Sequence, residues 1–532
     1  MGPGRLLTFV GTCTAALILV SGCGLVDRAG EADSAREGEQ GEAADESEDE
    51  TAEVVEATGE SVTSRETNPW ELPGGRAEVS LHRVDDEHMV AQMALSSQAS
   101  EPLHFSSHLA EGFGEMADYA WDYFSGVSWL DPDGRVLHRP FYVDDEGTCL
   151  CTSSDDSILW DEDDTWEGYA VLAAPPEDVS ALTVVTHVAA PFVNVPVEQG
   201  PPDGLDYQSP GEAADAEPEV VELESVIESD EDTVIQDSET TDINLSTDVL
   251  FELEESELTE EADELIDDAA LELETLNPTE VTIEGHADDS GTDEINDPLS
   301  EDRAEEVRAA LEERIDGDID YQTQGFGSAE PIASNNDEEG RALNRRVTIS
   351  VPRGTEVDSE PTEEEQGEDS AEDEPAQGKG TPAAEMGRTG SAGDAFDEEL
   401  EVDLQLTALQ TITPSTALLT YEVHNPNDTD VSVSLDMESD RWMEFRYHAT
   451  HAVTLDDPDG DRSAYPLRVH PPDERDEPFC FCTHTSGVNL GSTRLPEDVT
   501  REYYAILPIT PGTTVTDVTV GAIGTLEDVV ID

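Results

Sequence analysis

Four cysteines stand in two Cys-x-Cys pairs, Cys149/Cys151 and Cys480/Cys482, and their thiols could form disulfides or bind a metal ion. A structural metal site needs about four ligands. His484 could add one ligand beside the second pair, but no histidine stands at the matching place of the first. Thiols outside the cytoplasm oxidise, although a direct bridge between residues i and i+2 of a strand needs a kink. We therefore predict disulfides, within each pair or between the pairs, and no metal site.

Another cysteine, Cys23, follows a short apolar segment. Arg5 supplies a positive charge, and residues 6–20 form an apolar run, shorter than the ~20 residues that a membrane-spanning helix needs. The run ends in Val-Ser-Gly-Cys, which resembles the lipobox of bacterial lipoproteins, whose cysteine accepts diacylglycerol. We predict a signal peptide over residues 1–22 and a lipid anchor at Cys23 with palmitate-type acyl chains, because two or three chains make anchoring durable.

The regions that must position the two cysteine pairs repeat the same motifs in the same order. The motifs are DPDG at 131–134, CLCT at 149–152 and YAVL at 169–172, then DPDG at 457–460, CFCT at 480–483 and YAIL at 504–507. Alternating apolar and polar runs, such as residues 77–82, are broken by turn signals and are typical of antiparallel strands. We predict two duplicated all-β modules of immunoglobulin-like sandwich type, over residues 65–200 and 395–532.

Acidic residues dominate the composition, with 128 Asp and Glu against 24 Lys and Arg and a formal net charge of −104. Such a surface repels nucleic acid, so we predict no nucleic-acid partner. The acid extends into segments that are predicted to fold, which favours adaptation of the whole protein to high salt (a halophilic protein). Three segments poor in apolar residues, at 24–64, 201–241 and 354–394, are predicted to be disordered acidic linkers.

Residues 242–353 show the alternation of strands and helices that predicts a central α/β domain of βαβαβ type. Residues 249–253 are strand-like, and apolar residues recur at helical spacing over 258–273. Ser300 is a favourable N-cap residue for a second helix. Further strands are predicted at 281–285, 319–323 and 347–351.

Four motifs in this region resemble, in order and spacing, the OmpA-like peptidoglycan-binding family. They are GHADDSG at 285–291, NDPLSEDRAEEV at 296–307, QGFGSAEPIASN at 324–335 and GRALNRRV at 340–347. The resemblance extends over the whole domain, including the leading VLFEL segment. It implies non-covalent binding of the peptide stem of peptidoglycan, in particular its diaminopimelate residue.

Diaminopimelate carries an ammonium and a carboxylate, so its site needs an anion and a cation at a fixed separation. The resemblance implies that Asp288 binds the ammonium and that Arg303, expected in the first turn of the second helix, binds the carboxylate. A guanidinium can hold a carboxylate through two hydrogen bonds, and the helix N-terminus favours the same anion. The family usually has Thr where Ala287 stands, so we expect one hydrogen bond, typically worth ~1 kcal/mol, to be weakened without loss of the ion-pairing site.

The remaining matches to the family motif surround these two charges. Asn296, Leu299 and Ser300 match the loop and cap positions and are expected to shape the pocket wall. Asn344 and Arg345 match the NRR signature. Arg345 is expected to pack near the site or pair with acids there rather than to contact the ligand.

We therefore predict a non-enzymatic, lipid-anchored envelope protein that tethers a membrane to the cell wall without a cofactor. Its location would be the outer leaflet of the cytoplasmic membrane in a Gram-positive cell, or the outer membrane and periplasm in a Gram-negative cell. The alternative is an adhesion or assembly protein whose β-modules bind an unidentified protein partner while the OmpA-like domain only anchors it. A cell-wall hydrolase is disfavoured because no nucleophile elbow, zinc-peptidase pattern or paired-carboxylate site is evident.

Overall fold

A computed structural model describes the chain in segments. These are residues 61–67, 75–96, 124–143, 148–153, 165–186, 188–205, 207, 217–229, 231–259, 262–315, 317, 319–353, 380–393, 399–432, 453–457, 462–470, 479–483 and 494–532. The predicted signal peptide, Cys23 and His484 lie outside the described residues.

Strands make up the regular structure of the first module. They are β1 Ser64–Glu66, β2 Arg76–Arg83, β3 His88–Ser96, β4 Val127–Leu130, β5 Val136–Tyr142, β6 Thr165–Ala173, β7 Ala181–Thr186 and β8 Phe192–Gln199. Alternate residues of β2 (Ala77, Val79 and Leu81) are buried in one apolar core. This period of two is the strand signal in the sequence.

The next part of the chain contains strands and all the described α-helices. They are β9 Glu217–Glu228, β10 Asp232–Gln236, β11 Thr240–Ser246, α1 Thr247–Leu250, α2 Ala262–Leu276, β12 Glu280–His286, α3 Asp293–Glu312, β13 Asp320–Gly327, α4 Glu338–Asn344 and β14 Arg346–Pro352. β11 and β12 lie antiparallel on either side of β14, and β13 lies parallel to β12. The apolar residues of α2 and α3 pack on one face of this sheet.

The last module is again built from strands, with short 3-10 helices at Ala383–Glu385 and Gly521–Ile523. Its strands are β15 Thr381–Pro382, β16 Gly387–Gly393, β17 Glu399–Thr413, β18 Thr416–His424, β19 Val431–Ser432, β20 Val453–Asp456, β21 Ser463–Ala464, β22 Arg468–His470, β23 Phe479–Cys480, β24 Arg494–Leu495, β25 Thr500–Pro508, β26 Val515–Val520 and β27 Gly524–Val530. Six of these strands form a separate sheet, in the order β24-β19-β16-β17-β18-β25.

Strand β9 connects the three regions through backbone hydrogen bonds. Residues 217–222 pair with β5 of the first module, and residues 222–224 pair with β22 of the last module. Residues 225–228 pair with β10, which leads into the sheet of the central region. As a result, strands from all three regions belong to one hydrogen-bonded assembly of 21 strands.

An apolar cluster around β9 joins the two flanking modules. Its buried members are Leu130, Leu137, Val185, Val193, Val221, Leu223, Leu418, Leu467, Val469, Phe481 and Ile506. Because both modules contribute residues to it, they bury apolar surface against each other, which stabilises their contact.

The predicted fold class is therefore wrong. It placed a central α/β domain between two immunoglobulin-like sandwiches on disordered acidic linkers. The described chain is instead mostly β-strand, with four α-helices and a sheet that continues from region to region. The segment 201–241 contains β9, β10 and the start of β11, and the segment 354–394 contains β15 and β16.

The acid-rich composition explains the error over the linkers. In β9, Val221, Leu223 and Val226 are at most 5% exposed, and acidic residues stand between them. When most exposed positions of a protein are Glu or Asp, a strand with one exposed face has the same composition as a disordered segment. The alternation, not the composition, was the informative signal.

Two predictions for the central region are also corrected. Residues 249–253 do not form a strand, because Val249 and Leu250 end α1 and only Phe251 forms an isolated bridge, to Leu258. Ser300 is not an N-cap, because α3 begins at Asp293 and continues through Pro298. Arg303 consequently lies well inside α3, and the field of the helix N-terminus, which acts over about one turn, does not reach it.

The Cys-x-Cys-Thr motifs make the same contacts in both modules. The Thr152 amide donates to the Tyr169 carbonyl (2.8 Å), and the Tyr169 amide donates to Oγ1 of Thr152 (2.9 Å). The matching bonds between Thr483 and Tyr504 are 2.8 and 2.7 Å long. The structure pairs Cys149 with Cys151 and Cys480 with Cys482, with Cα separations of 5.3 and 5.4 Å.

None of the helices in the described ranges has the length and hydropathy of a membrane span. Within the same ranges, no three His, Cys, Asp or Glu side chains are grouped so that they could hold a metal ion.

Candidate functional site

Several predicted ligand-binding residues lie at one edge of the central sheet. In the register of the sheet, Ser246 of β11 lies opposite Arg346 of β14, and Gly285 of β12 lies opposite Val347. Three charged residues are therefore neighbours at this edge. Asp248 follows β11, Asp288 follows β12, and Arg345 immediately precedes β14.

Two glycines allow α3 to lie directly on β12 and β13. A Cβ atom at Gly285 would collide with the carbonyl of Ser300, and a Cβ atom at Gly325 would collide with the backbone of Glu301 in α3. Glycine at both positions thus sets how close Asn296 and Arg303, which α3 carries, lie to the sheet.

Asp288 is an ionised carboxylate held from both sides, and only 7% of the residue is exposed. Its Oδ2 accepts a hydrogen bond from Nη1 of Arg345 (2.8 Å), and its Oδ1 accepts one from the amide of Ser290 (2.8 Å). Burial by itself would raise the pKa of Asp288, but the bonds from Arg345 and Ser290 outweigh burial and lower the pKa below its ordinary value.

Arg345 is the centre of an ion-pair network of three carboxylates. Besides Asp288, it contacts Asp248 through Nε (2.9 and 3.1 Å) and Nη2 (2.7 Å). Its Nη2 also donates to Glu338 (3.0 Å). The hydrogen bonds to Asp248, followed by those to Asp288 and Glu338, raise the pKa of Arg345 despite its partial burial.

Arg303 is a buried cation, 8% exposed, that rests on backbone and an aromatic ring. Its Nε donates to the carbonyl of Glu255 (3.0 Å) and its Nη2 to the carbonyl of Glu252 (3.5 Å). The guanidinium lies 4.9 Å from the centroid of the Phe251 ring. Burial lowers the pKa of Arg303, and the charge of Asp248 opposes this effect. Among the described residues, no carboxylate forms an ion pair with it.

Comparison with known proteins gives a family for this region. A model of the OmpA family matches residues 250–345. Outer membrane protein Omp38 of Acinetobacter baumannii is 34% identical over 126 residues, which are 24% of this chain and 35% of that protein. The probable lipoprotein YiaD of Escherichia coli is 35% identical over 112 residues, 20% of this chain and 50% of YiaD. The peptidoglycan-binding protein ArfA of Mycobacterium tuberculosis is 45% identical over 88 residues, 16% of this chain and 27% of ArfA.

The chain thus contains a domain of the OmpA family. The matched segments span half or less of the length of each of these relatives. The OmpA-like domain includes Asp288, Arg303 and Arg345, whereas Asp248 lies just before the matched residues.

The other predicted site residues of the OmpA-like domain hold its loops together. The side-chain Nδ2 of Asn296 donates to the backbone carbonyl of Asp288 (3.3 Å). The Ser300 hydroxyl donates to the Asp297 carbonyl (2.9 Å) and accepts from the amide of Gly327 (2.9 Å). Leu299, beside them on α3, is half-buried. Nδ2 of Asn296 and the hydroxyl of Ser300 are therefore bonded to the protein itself.

Asn344 is fully buried and ties down the loop that precedes α4. Its Oδ1 accepts from the amides of Ile332 (2.8 Å) and Ala333 (3.0 Å), and its Nδ2 donates to Ala333 and Asn335 (both 2.9 Å). Asn335 in turn accepts from the amide of Asp289 (3.3 Å), next to Asp288. Asn344 thereby supports the loop next to Asp288 through Asn335. All of its polar side-chain atoms are bonded to the protein.

Sequence reasoning missed Asp248, Glu338 and the ring of Phe251. Asp248 belongs to the four-residue helix α1, of which only Val249 and Leu250 fell within the predicted strand, so the direction of its side chain was not foreseen. Acidic residues are so abundant in this chain that no local signal separates Asp248 or Glu338 from solvated surface.

Proposed function

We propose that the OmpA-like domain binds the peptide stem of peptidoglycan non-covalently, at the free end of its diaminopimelate residue. This end carries an ammonium and a carboxylate on one carbon atom. Asp288 would receive the ammonium and Arg303 the carboxylate. Asp248, which contacts Arg345 and acts electrostatically on Arg303, connects the two halves of the site.

The observation that carries this proposal is the state of Arg303. A guanidinium that is 8% exposed and has no carboxylate partner among the described residues has lost much of its hydration without gaining an ion pair. Such a group binds an incoming carboxylate strongly, because most of the desolvation cost of the cation has already been met by folding. Two backbone carbonyls and the Phe251 ring hold its plane in place for this contact.

The names of two relatives agree with this proposal. ArfA is described as a peptidoglycan-binding protein and YiaD as a probable lipoprotein. We propose by extension that this chain is located in the cell envelope, where it links a membrane to the cell wall. The membrane end would be the acylated Cys23 of the lipobox-like sequence, and the wall end would be the OmpA-like domain.

Wall binding is tested by co-sedimentation of the full chain with purified sacculi. Sacculi with meso-diaminopimelate are expected to bind at least about 10-fold more tightly than sacculi with lysine at the same position, because lysine lacks the carboxylate beside the ammonium and a charged hydrogen bond contributes about 1.5–3 kcal/mol. Equal affinity for the two kinds of sacculi would contradict the proposed site.

The membrane anchor is tested separately through Cys23. In a bacterial host, the Cys23→Ser variant is expected to lose radiolabelled palmitate and to move from the membrane fraction to the soluble fraction, since the thioether-linked lipid can no longer form. Cys13→Ser, which changes a cysteine inside the predicted signal peptide, serves as the control and should keep the label. Label that persists in Cys23→Ser would rule out this anchor.

The lowered pKa of Asp288 predicts how ligand binding depends on pH. Only the ionised carboxylate attracts an ammonium, and the pKa of Asp288 lies below the ordinary aspartate value of ~3.9. Affinity for meso-diaminopimelate should therefore stay constant as the pH falls from about 7 to about 5, and should be lost only below about pH 4. Calorimetric titration at several pH values measures this, and a midpoint above about pH 5 would show that Asp288 is not the ammonium partner.

A further inference from the structure

Asp288 is already ion-paired before any ligand is present. Its side chain is 9% exposed, and the Arg345 guanidinium lies 2.8 Å from Oδ2. A ligand ammonium that approaches this carboxylate therefore meets a second cation at the same oxygen atom. Two positive charges a few ångströms apart repel each other, so the ammonium and Arg345 compete for Asp288.

Arg345 does not depend on Asp288 for its own charge compensation. Its Nε and Nη2 face Asp248 at 2.7–3.1 Å, and Nη2 also faces Glu338 at 3.0 Å. Only Nη1 is bonded to Asp288. A rotation that withdraws Nη1 from Asp288 would leave the guanidinium with two carboxylates, so the withdrawal costs far less than breaking an isolated buried ion pair.

We propose that Arg345 is a tethered internal counter-ion, which the ligand ammonium displaces from Asp288, and that Asp248 is the positioning residue that retains the displaced guanidinium. This inference rests on the proposed function of the same site. Attraction of Arg345 to Asp248 and Glu338 then raises the affinity for the ammonium, and attraction of Arg345 to Asp288 lowers it. The arrangement also selects for charge, because a neutral amide in place of the ammonium cannot replace the guanidinium at Asp288.

The proposal predicts opposite effects for two substitutions in the same network. Arg345→Gln removes the competing cation and is expected to tighten binding of meso-diaminopimelate about 5-fold. Asp248→Asn removes the tether and leaves Arg345 on Asp288, so binding is expected to weaken about 5-fold or more. The double variant should match Arg345→Gln within about 2-fold, because the tether has no function once the guanidinium is gone.

The experiment is calorimetric titration of the full-length protein and its variants with meso-diaminopimelate. Arg308→Gln is the matched control, because Arg308 pairs with Glu312 on the exposed face of α3, and its affinity should stay within about 2-fold of the unmodified protein. Thermal unfolding of each variant checks that it is folded. Arg345→Lys offers a second test, since one ammonium cannot reach Asp248 and Asp288 together, and it should change affinity in the same direction as Arg345→Gln.

Weaker binding by both Arg345→Gln and Asp248→Asn would overturn the proposal, because Arg345 would then be a ligand contact or a structural support. Tighter binding by Asp248→Asn would overturn the role of Asp248 as the tether. Absence of binding by the unmodified protein would instead reject the proposed function of the site, and this inference with it.

Discussion

Replacing both Asp288 and Arg303 by alanine is expected to lower the affinity of the full chain for diaminopimelate-containing sacculi by at least about 100-fold. Each side chain would contribute a charged hydrogen bond or ion pair of about 1.5–3 kcal/mol to the ligand, and the two contacts act on different ends of it. Co-sedimentation over a range of protein concentrations measures the change.

The double variant Asp289→Ala/Arg308→Ala provides the matched control. Asp289 is exposed and contributes its backbone amide to the loop, and Arg308 lies on the outer face of α3, so the pair removes the same charges without touching the site. Arg303→Lys is a more conservative test of the buried position, because lysine keeps the positive charge but cannot make a bidentate contact with a carboxylate. If Asp288→Ala/Arg303→Ala is folded and still binds sacculi as the control does, the site assignment is wrong.

A second large effect is expected from Leu223→Ala in β9. Leu223 is 1% exposed and lies in the apolar cluster that joins the first and last modules. Its truncation is expected to lower the free energy of unfolding by about 2–5 kcal/mol. Because residues of both modules pack in this cluster, hydrogen exchange should increase together in β7 and in β25.

Val220→Ala in the same strand is the control for this prediction. Val220 is 43% exposed, so its truncation should change the free energy of unfolding by at most about 0.5 kcal/mol. Denaturant unfolding and mass-spectrometric hydrogen exchange measure the two variants side by side. Faster exchange in only one module would show that the modules are independent and that the β9 contact does not couple them.

The family of the central domain was predictable from the sequence because its recognition motif is local. GHADD, with Asp288, and the segment that contains Arg303 stand at a spacing that points to the family without knowledge of the fold. The strands β12, β13 and β14 were predicted for a related reason, since their alternating apolar residues face one layer of helices. The halophilic character, the lipid anchor and the alternative role in adhesion or assembly stay predictions.

The environment of those residues was not predictable in the same way. Arg303 was predicted to lie in the first turn of a helix, where the helix terminus would help to bind a carboxylate. The structure begins α3 at Asp293, and the partners of Arg303 are carbonyls of a distant loop, 48 and 51 residues away in sequence. Contacts over such separations depend on how helices and strands pack, which no local pattern encodes.

The candidate groups for ligand binding, the apolar alternation and the acid-rich composition follow from the sequence by itself, because each depends on residue type and local spacing. Only the tertiary structure shows that Arg345 contacts Asp248, Glu338 and Asp288 at the same time. It alone decided as well that β9 belongs to three regions at once. Both features join residues that are far apart in the chain. In so acidic a protein, a carboxylate that forms an ion pair cannot be distinguished in the sequence from one that faces solvent, and an acid-rich strand cannot be distinguished by composition from an acid-rich linker.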